Sequence, residues 1–396
     1  MDLFNSNTYT YTLRPYQQEA VDAAVKFLKG SASHNAIEVL PTGSGKSLII
    51  ANIAMGLGEP TLIFQPSKEI LEQNYAKFCS YGYQAGIYSA SKNRRELSRV
   101  TFATIGSVKN RKELFSNFRY IIVDEAHFIN SKGGMYHDFL NSLRGAKILG
   151  LTATPYRLTS DGFGGSILKF LTRTRPRVFQ DLIYYVQNRK LFDEGYLAKL
   201  QYDSTNHFDR RQLVINSTGA DFTDSSVRRY YRTSNFPDKI AEVVKAEIKT
   251  RKNALVFTRF IEEAAYIVEK VPGSALITGE TPKKERERLI EGFKSGRIPV
   301  VANAGVLTTG FDYPELETII LARPTMSLAL YYQIIGRGIR PHPEKRYTKV
   351  VDMCNNGALF GRVEDLEIVD GGNGKWFIQN GKKQLTNVYY GERRQH

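Results

Sequence analysis

Pro41-Thr42-Gly43-Ser44-Gly45-Lys46-Ser47 follows the short apolar run Ala36-Ile37-Glu38-Val39-Leu40 and opens a helical pattern that reaches Met55. A strand, a glycine-rich turn and a helix in that order make a cradle for phosphate. Glycine lets the backbone come close, and N–H groups at the helix start point at the anion. Thr42, Gly43, Ser44 and Gly45 would line the loop, Lys46 would reach the β- and γ-phosphates, and the Ser47 hydroxyl would ligate Mg²⁺. The general pattern starts with glycine five residues before Gly45, where this chain has Leu40. The strand–loop–helix context outweighs that departure, so ATP and Mg²⁺ are the expected cofactors.

Outward from this stretch the elements alternate. Thr61-Leu62-Ile63-Phe64, Tyr120-Ile121-Ile122-Val123 and Ile148-Leu149-Gly150-Leu151 read as buried strands, with a helical stretch over 67–78. The pattern restarts after residue 235, with strands at 254–257, 275–277, 300–302 and 318–321 and helices over 261–270 and from Thr281-Pro282 to about Gly296. Short apolar strands alternating with helices imply parallel sheets covered on both faces. The expected fold is α/β, as two tandem domains over 1–165 and 235–355. Residues 166–234, rich in Arg and Tyr, read as a basic aromatic linker leading into the second domain, and 356–396 as a tail of unassigned role.

Asp124-Glu125-Ala126-His127 closes the third of these strands. Strand carboxyl ends form the ligand crevice of a parallel sheet. Asp124 there can hold Mg²⁺ and Glu125 can orient or deprotonate the attacking water. Asp-Glu alone is often just a polar strand end; its place after four apolar residues, some eighty residues beyond the lysine, gives it meaning. Thr152-Ala153-Thr154-Pro155 ends the next strand, where Thr152 and Thr154 hydroxyls can sense the phosphate site. Upstream, the Gln17 amide offers a donor and an acceptor to adenine. In the second domain Gln333, Arg337 and Arg340 fall at i, i+4 and i+7 on one face if the stretch is helical. Phosphoryl transfer needs such positive charge on the γ-phosphate oxygens. Thr308-Thr309-Gly310-Phe311-Asp312 follows a buried strand, where an interdomain ligand would sit.

The 396 residues carry 55 Lys and Arg against 40 Asp and Glu, a formal charge of +15. A basic surface attracts polyanions, nucleic acid foremost. Two cysteines, Cys79 and Cys354, make neither a disulfide framework nor a four-cysteine zinc site. No apolar run is long enough to span a membrane and no signal-peptide pattern opens the chain, so a cytoplasmic protein is expected, in a bacterial cell or a phage-infected host.

With these residues assembled the chain resembles a superfamily 2 helicase of the DEAH type. Motif I is similar to 41–47, Ia to 64–68, Ib to 102–107, II to 124–127, III to 151–155, IV to 255–259, V to 306–312 and VI to 333–340. It is similar above all to the RadD-like, XPB-like and phage UvsW-like DNA repair helicases, through 13–23, 276–282, 306–312 and 330–340. The resemblance implies two tandem RecA-like domains with the nucleotide in the interdomain cleft. It implies that Gln17 reads adenine with Arg14 close by, and that Lys46 binds phosphates. Ser47 and Asp124 would hold Mg²⁺, and Glu125 would activate water. His127, Thr152 and Thr154 would couple the site to movement. Gln333 would face the γ-phosphate, with Arg337 and Arg340 as arginine fingers, and Gly310 and Asp312 would line the nucleotide. Pro66, Lys68, Thr104, Ser107, Thr258, Arg259 and Thr308 would track a nucleic-acid backbone. The partner implied is DNA: single-stranded, forked or branched. RadD-like proteins extend further and carry a cysteine-rich zinc module that this sequence lacks, and motif VI has Ile334 where many relatives place arginine. An RNA helicase, the motor subunit of a restriction or defence complex, and a non-enzymatic clamp on branched DNA stand as alternatives.

Overall fold

The computed structural model describes residues 11–90, 94–143, 145–160, 166–204 and 208–390. The chain divides into two compact units: Met1–Arg157 with Lys169–Gln187 and Ile368–Phe377, and Leu158–Leu168 with Asn188–Glu367 and Ile378–His396.

In the first unit, α1 (Pro15–Lys29) leads to β1 (Ala36–Val39), α2 (Lys46–Leu57), β2 (Thr61–Phe64) and α3 (Lys68–Ser80). There follow β3 (Gly86–Ser89), β4 (Arg94–Arg95), β5 (Val100–Ala103), α4 (Ile105–Val108), β6 (Tyr120–Asp124), α5 (Met135–Leu140) and β7 (Lys147–Thr152). β8 (Tyr156–Ser160) and β9 (Ser166–Phe170) straddle the bounds of the two units, and β10 (Asp181–Tyr185) belongs to the first. The main sheet runs β10-β1-β7-β6-β2-β5-β3-β4. It is parallel apart from the β3–β4 pair. β1, β2, β5 and β6 are buried along their whole length. That is why they read as unbroken apolar runs rather than alternations. α1 starts at Pro15, suited to a first helical position, and buries Tyr16, Ala20, Val21, Ala24 and Leu28 along one stripe.

The second unit holds α6 (Asn188–Asp193), β11 (Leu200–Ser204), α7 (Asp224–Thr233), α8 (Phe236–Glu247), β12 (Ala254–Thr258), α9 (Ile261–Lys270) and β13 (Ala275–Ile277). Next come α10 (Lys283–Lys294), β14 (Val300–Ala304), β15 (Thr318–Ala322), α11 (Leu328–Ile335), β16 (Thr348–Asp352) and α12 (Gly357–Phe360). Its sheet runs β11-β16-β15-β12-β14-β13, parallel throughout. Phe208, Tyr231, Phe236, Val256, Phe260 and Ile320 belong to its core.

The expected strands and helices are present, and the α/β, parallel-sheet fold is as read from the sequence. One stretch differs from expectation. Residues 166–234 are no single linker: β10 joins the first sheet beside β1, while β11 edges the second. The tail carries β17 (Leu366–Asp370), β18 (Trp376–Asn380), β19 (Lys383–Gln384) and β20 (Tyr389–Tyr390). Among the described residues no helix is long and apolar enough to cross a membrane.

Candidate nucleotide and nucleic-acid sites

β1, β7 and β6 are adjacent, and their carboxyl ends carry the three stretches singled out in the first unit. Gly43 and Gly45 hold φ of 80° and 82°, the left-handed region that side chains resist. A Cβ on Gly45 would also lie 2.5 Å from Gln17 Nε2. Gly45 caps α2 without a side-chain cap; the Leu48 N–H turns back to the Gly45 carbonyl at 2.9 Å, and the N–H groups of Lys46 and Ser47 face the phosphate side. The loop is tied to α1: Tyr16 Oη and Gln17 Nε2 both donate to the Ser44 carbonyl at 2.8 Å. Gln17 Oε1 accepts from Arg14 N at 2.9 Å. The residue expected to read adenine thus already braces the phosphate loop. Lys46 Nζ stands 3.9 Å from Glu125 Oε1 and 3.5 Å from the Leu40 carbonyl. Thr42 and Ser44 are buried.

Asp124 ends β6 almost fully buried, and burial first, then neighbouring Glu125, pushes its carboxyl above the usual range, while Lys46 opposes the shift. Such a carboxylate favours a cation beside it. Glu125 adopts φ 51°, unusual for a residue with a side chain, and its N–H donates to Asp124 Oδ1 at 3.0 Å. His127 Nδ1 lies 2.9 Å from Thr152 Oγ1, 3.0 Å from Thr154 Oγ1 and 3.4 Å from Glu125 Oε2. These side chains, eighty residues and more from Lys46 in places, converge on one polar cluster. Ser47 and Asp124 are hard oxygen donors, and among the described residues no group of three or more His, Cys, Asp or Glu could hold a metal alone. That set fits Mg²⁺, which is commonly shared between one or two protein oxygens, phosphates and water.

Several partners escaped the sequence reading. Arg157 Nη1 donates to the His127 and Phe128 carbonyls at 3.2 and 3.1 Å, fixing the turn after β6. Ser47 Oγ donates to Asn74 Oδ1 at 2.8 Å, and Asn74 Nδ2 to Gln65 Oε1 at 2.8 Å. The signal for Asn74 was available: a polar residue on the buried face of α3, between Leu71 and Phe78.

In the second unit α11 ends at Ile335, so the stretch from Gln333 to Arg340 is not one helix and the conditional i, i+4, i+7 face is not formed. Gly336 and Gly338 favour that end. Gly338 also packs where a Cβ would meet Thr348 Cγ2 at 2.5 Å. Arg337 is buried, donating to the Phe311 carbonyl at 2.8 Å and the Gln333 carbonyl at 3.3 Å. Arg340 is ion-paired with Asp312. Lys345 Nζ and Thr348 Oγ1 both donate to the Gly338 carbonyl, at 2.9 and 2.7 Å. The loop beyond β14 therefore meets the turn beyond α11, and Gly310, with φ 72°, lies within that loop.

Of the residues expected on nucleic acid, Pro66 and Lys68 flank Ser67, the N-cap of α3, and are partly exposed. Thr104 and Ser107 pair through their hydroxyls at 3.0 Å after β5, and Thr308 is partly exposed after β14. Thr258 and Arg259 differ. The Thr258 hydroxyl is buried, 2.8 Å from the Phe260 carbonyl and 3.1 Å from that of Asn303. The Arg259 guanidinium donates to Asp221, Asp224 and the Phe222 carbonyl at 3.1, 2.8 and 2.7 Å. Its side chain is 8% exposed. Arg259 is an internal anchor, because its donors are already taken by protein acceptors.

Residues 10–157 match the family described as type III restriction enzyme, res subunit, and residues 237–342 match the helicase conserved C-terminal domain. A 51.5 kDa protein of a Lactococcus phage is 28% identical over 81% of this chain and 66% of its own length. The DNA 3'-5' translocase XPB2 of Sulfurisphaera tokodaii is 26% identical over 83% of this chain and 78% of its own. A solved fragment assigned as the HsdR subunit of a type I restriction enzyme from Vibrio vulnificus superposes with a TM-score of 0.67, at 21% identity, over 89% of this chain and 66% of that one. The chain spans between 49% and 66% of the length of the first five curated relatives it matches.

Proposed function

We propose, on the premise that a chain carrying these two domains belongs to the superfamily 2 helicases of XPB type, that it is an ATP-hydrolysing motor that moves on or remodels DNA. The observation that carries the reading is the convergence at three adjacent strand ends. Lys46 follows β1, Asp124 ends β6 with Glu125 just beyond it, and Thr152 ends β7 with Thr154 two residues on; His127 touches both threonines.

In this reading Arg14 and Gln17 face the adenine; the Gln17 amide keeps one N–H and one lone pair beyond those that brace the loop. Lys46 and the first-turn N–H groups of α2 bind the phosphates, with 42–45 wrapping them. Ser47 and Asp124 hold Mg²⁺, which when bound neutralises charge on the β- and γ-oxygens. Glu125 accepts a proton from the attacking water. His127, Thr152 and Thr154 carry the state of that carboxylate to the strand-end loops. In the second unit Gln333 and Arg340 serve the γ-phosphate, Gly310 and Asp312 line the nucleotide, and Arg337 holds the turn that presents Arg340. Arg340 exchanges the Asp312 carboxylate for phosphate oxygen as charge develops there.

Pro66, Lys68, Thr104, Ser107 and Thr308 lie after strand carboxyl ends and contact the nucleic-acid backbone. The charge of +15 supports sequence-independent, salt-sensitive binding. DNA is preferred to RNA because the XPB2 relative is named as acting on DNA. Forked or branched DNA is the expected substrate.

The test is ATP hydrolysis with single-stranded, duplex, forked and Holliday-junction DNA and with RNA, beside a Lys46→Ala control. DNA should stimulate turnover, branched forms most, and Lys46→Ala should abolish it. Stronger stimulation by RNA moves the reading to an RNA helicase, and no turnover on any nucleic acid leaves a DNA clamp. The match to a restriction-enzyme subunit over 10–157 favours a second reading, the motor of a restriction or defence complex. Co-purification of a nuclease chain would establish it.

A further inference from the structure

Asn74 belongs to none of the stretches discussed above as nucleotide or nucleic-acid ligands. It interrupts the buried face of α3, and both ends of its amide are in use. Its Oδ1 accepts the Ser47 hydroxyl proton at 2.8 Å and its Nδ2 donates to Gln65 Oε1 at 2.8 Å. Gln65 is 1% exposed and its backbone N–H is fixed on the Ala103 carbonyl at 2.9 Å. Gln65 Nε2 is buried with no acceptor among the described residues.

We propose that Asn74 is a positioning residue for the cation site. By taking the Ser47 proton it leaves the Ser47 oxygen lone pairs to the metal, and Gln65 fixes which end of the Asn74 amide faces Ser47. The proposal rests on the reading of Ser47 as a Mg²⁺ ligand. A hydroxyl has one proton and two lone pairs, and one that ligates a cation must send its proton elsewhere. The buried chain has two self-consistent polarities. In the observed one, Ser47 donates and the Gln65 donor is left over. With both amides turned, Gln65 Nε2 would donate to Asn74 and Asn74 Nδ2 to Ser47. That arrangement satisfies the Gln65 donor but occupies a Ser47 lone pair and leaves the hydroxyl proton facing the cation. A cation held by Ser47 would favour the observed polarity, in which the buried Gln65 donor bears the cost. Gln65 directly precedes Pro66 and the Ser67 cap of α3, so the cation ligand and the strand-contacting loop share one polar chain.

The experiment titrates Mg²⁺ against binding of a fluorescent ATP analogue, with EDTA buffer as the metal-free reference and thermal unfolding beside it. Asn74→Leu should raise the Mg²⁺ midpoint by about tenfold, the worth of a buried hydrogen bond, and leave metal-free binding unchanged. Asn74→Asp keeps an acceptor for Ser47 and gives Gln65 Nε2 a partner once that amide turns, so its midpoint should fall at or below the wild type's. Ser47→Ala should shift at least as far as Asn74→Leu. A shift in Ser47→Ala with none in Asn74→Leu overturns the positioning role alone; no shift in Ser47→Ala overturns the reading of Ser47 itself. If Asn74→Leu does not fold, Gln65→Met replaces it, with an expected shift of about threefold, and an unmoved midpoint there refutes the proposal.

Discussion

Replacing Arg259 by Met separates two accounts of one residue. If Arg259 grips a nucleic-acid backbone, its loss should weaken strand binding and leave the fold alone. The structure instead places its guanidinium against Asp221, Asp224 and the Phe222 carbonyl. Removing one partner of a buried ion pair costs about 3–5 kcal/mol, because the remaining charge is left unpaired. Asp224 is 66% exposed and can return to water, whereas Asp221 is 21% exposed and cannot do so fully. The lower end, about 3 kcal/mol, is therefore expected. For a domain of this class that lowers the melting temperature of the second unit by roughly 6–12 °C. Differential scanning calorimetry with and without ATP reads the shift, and fluorescence anisotropy of labelled DNA at a temperature where both proteins are folded reads binding. An unchanged melting temperature, with weaker DNA binding and a salt slope reduced by about one, would refute the anchor account.

Glu263 is buried at the start of α9, where its Oε2 accepts the Phe260 N–H at 2.9 Å, and burial raises its carboxyl to about 7, against which that N–H works. Its folded value lies above its unfolded one, so its contribution is full below about pH 4.5 and is lost as pH rises through 7. Glu263→Gln keeps the acceptor and removes the titration, so it should stabilise by up to about 2–3 kcal/mol at pH 8 and little at pH 4.5; parallel melting curves for both proteins across that range would contradict this. Arg340→Ala should cut stimulated ATP turnover by about a thousandfold while nucleotide and DNA binding persist, and near-normal turnover would remove Arg340 from the finger role. Gly338→Ala should destabilise by about 1–3 kcal/mol, since the added methyl meets Thr348 Cγ2 at 2.5 Å and Ile319 Cδ1 at 2.9 Å; an unchanged unfolding midpoint would show that the turn can shift freely.

What the sequence revealed follows from where the chemistry sits along the chain. The phosphate loop and the strand ends at Asp124 and Thr152 are contiguous stretches whose residue types are dictated locally, by backbone approach and by burial on both sheet faces. β10 was not legible because Asp181-Leu182-Ile183-Tyr184-Tyr185 is only partly buried and shows no alternation. Its place is set by pairing with β1, over 140 residues away. Whether the helix runs through Arg340 was not legible for a similar reason. The period of Gln333, Arg337 and Arg340 fits a helix, but the carbonyl acceptors at Phe311 and Gln333 and the donors on Lys345 and Thr348 hold the turn instead. Arg259 looked like a free cation because the carboxylates that claim it stand more than thirty residues upstream.

Those long-range partners also divide the labour between two arginines that the sequence treats alike. Arg337 is 9% exposed and donates to two backbone carbonyls. Withdrawing it would strand buried acceptors and forfeit charge-assisted bonds worth about 1.5–3 kcal/mol each. Arg340 is 30% exposed and Asp312 38%, a half-solvated pair of the kind that contributes about 0–1 kcal/mol. Exchanging that carboxylate for a phosphate oxygen costs less than withdrawing Arg337, because half-buried Asp312 keeps partial access to water, while its Oδ1 is already buried with no hydrogen-bond partner among the described residues. Arg337 is thus suited to hold the turn against the 305–312 loop, and Arg340 to be the group that moves. The phosphate need only outbid one half-buried carboxylate for Arg340, whereas for Arg337 it would have to dismantle the turn that presents both.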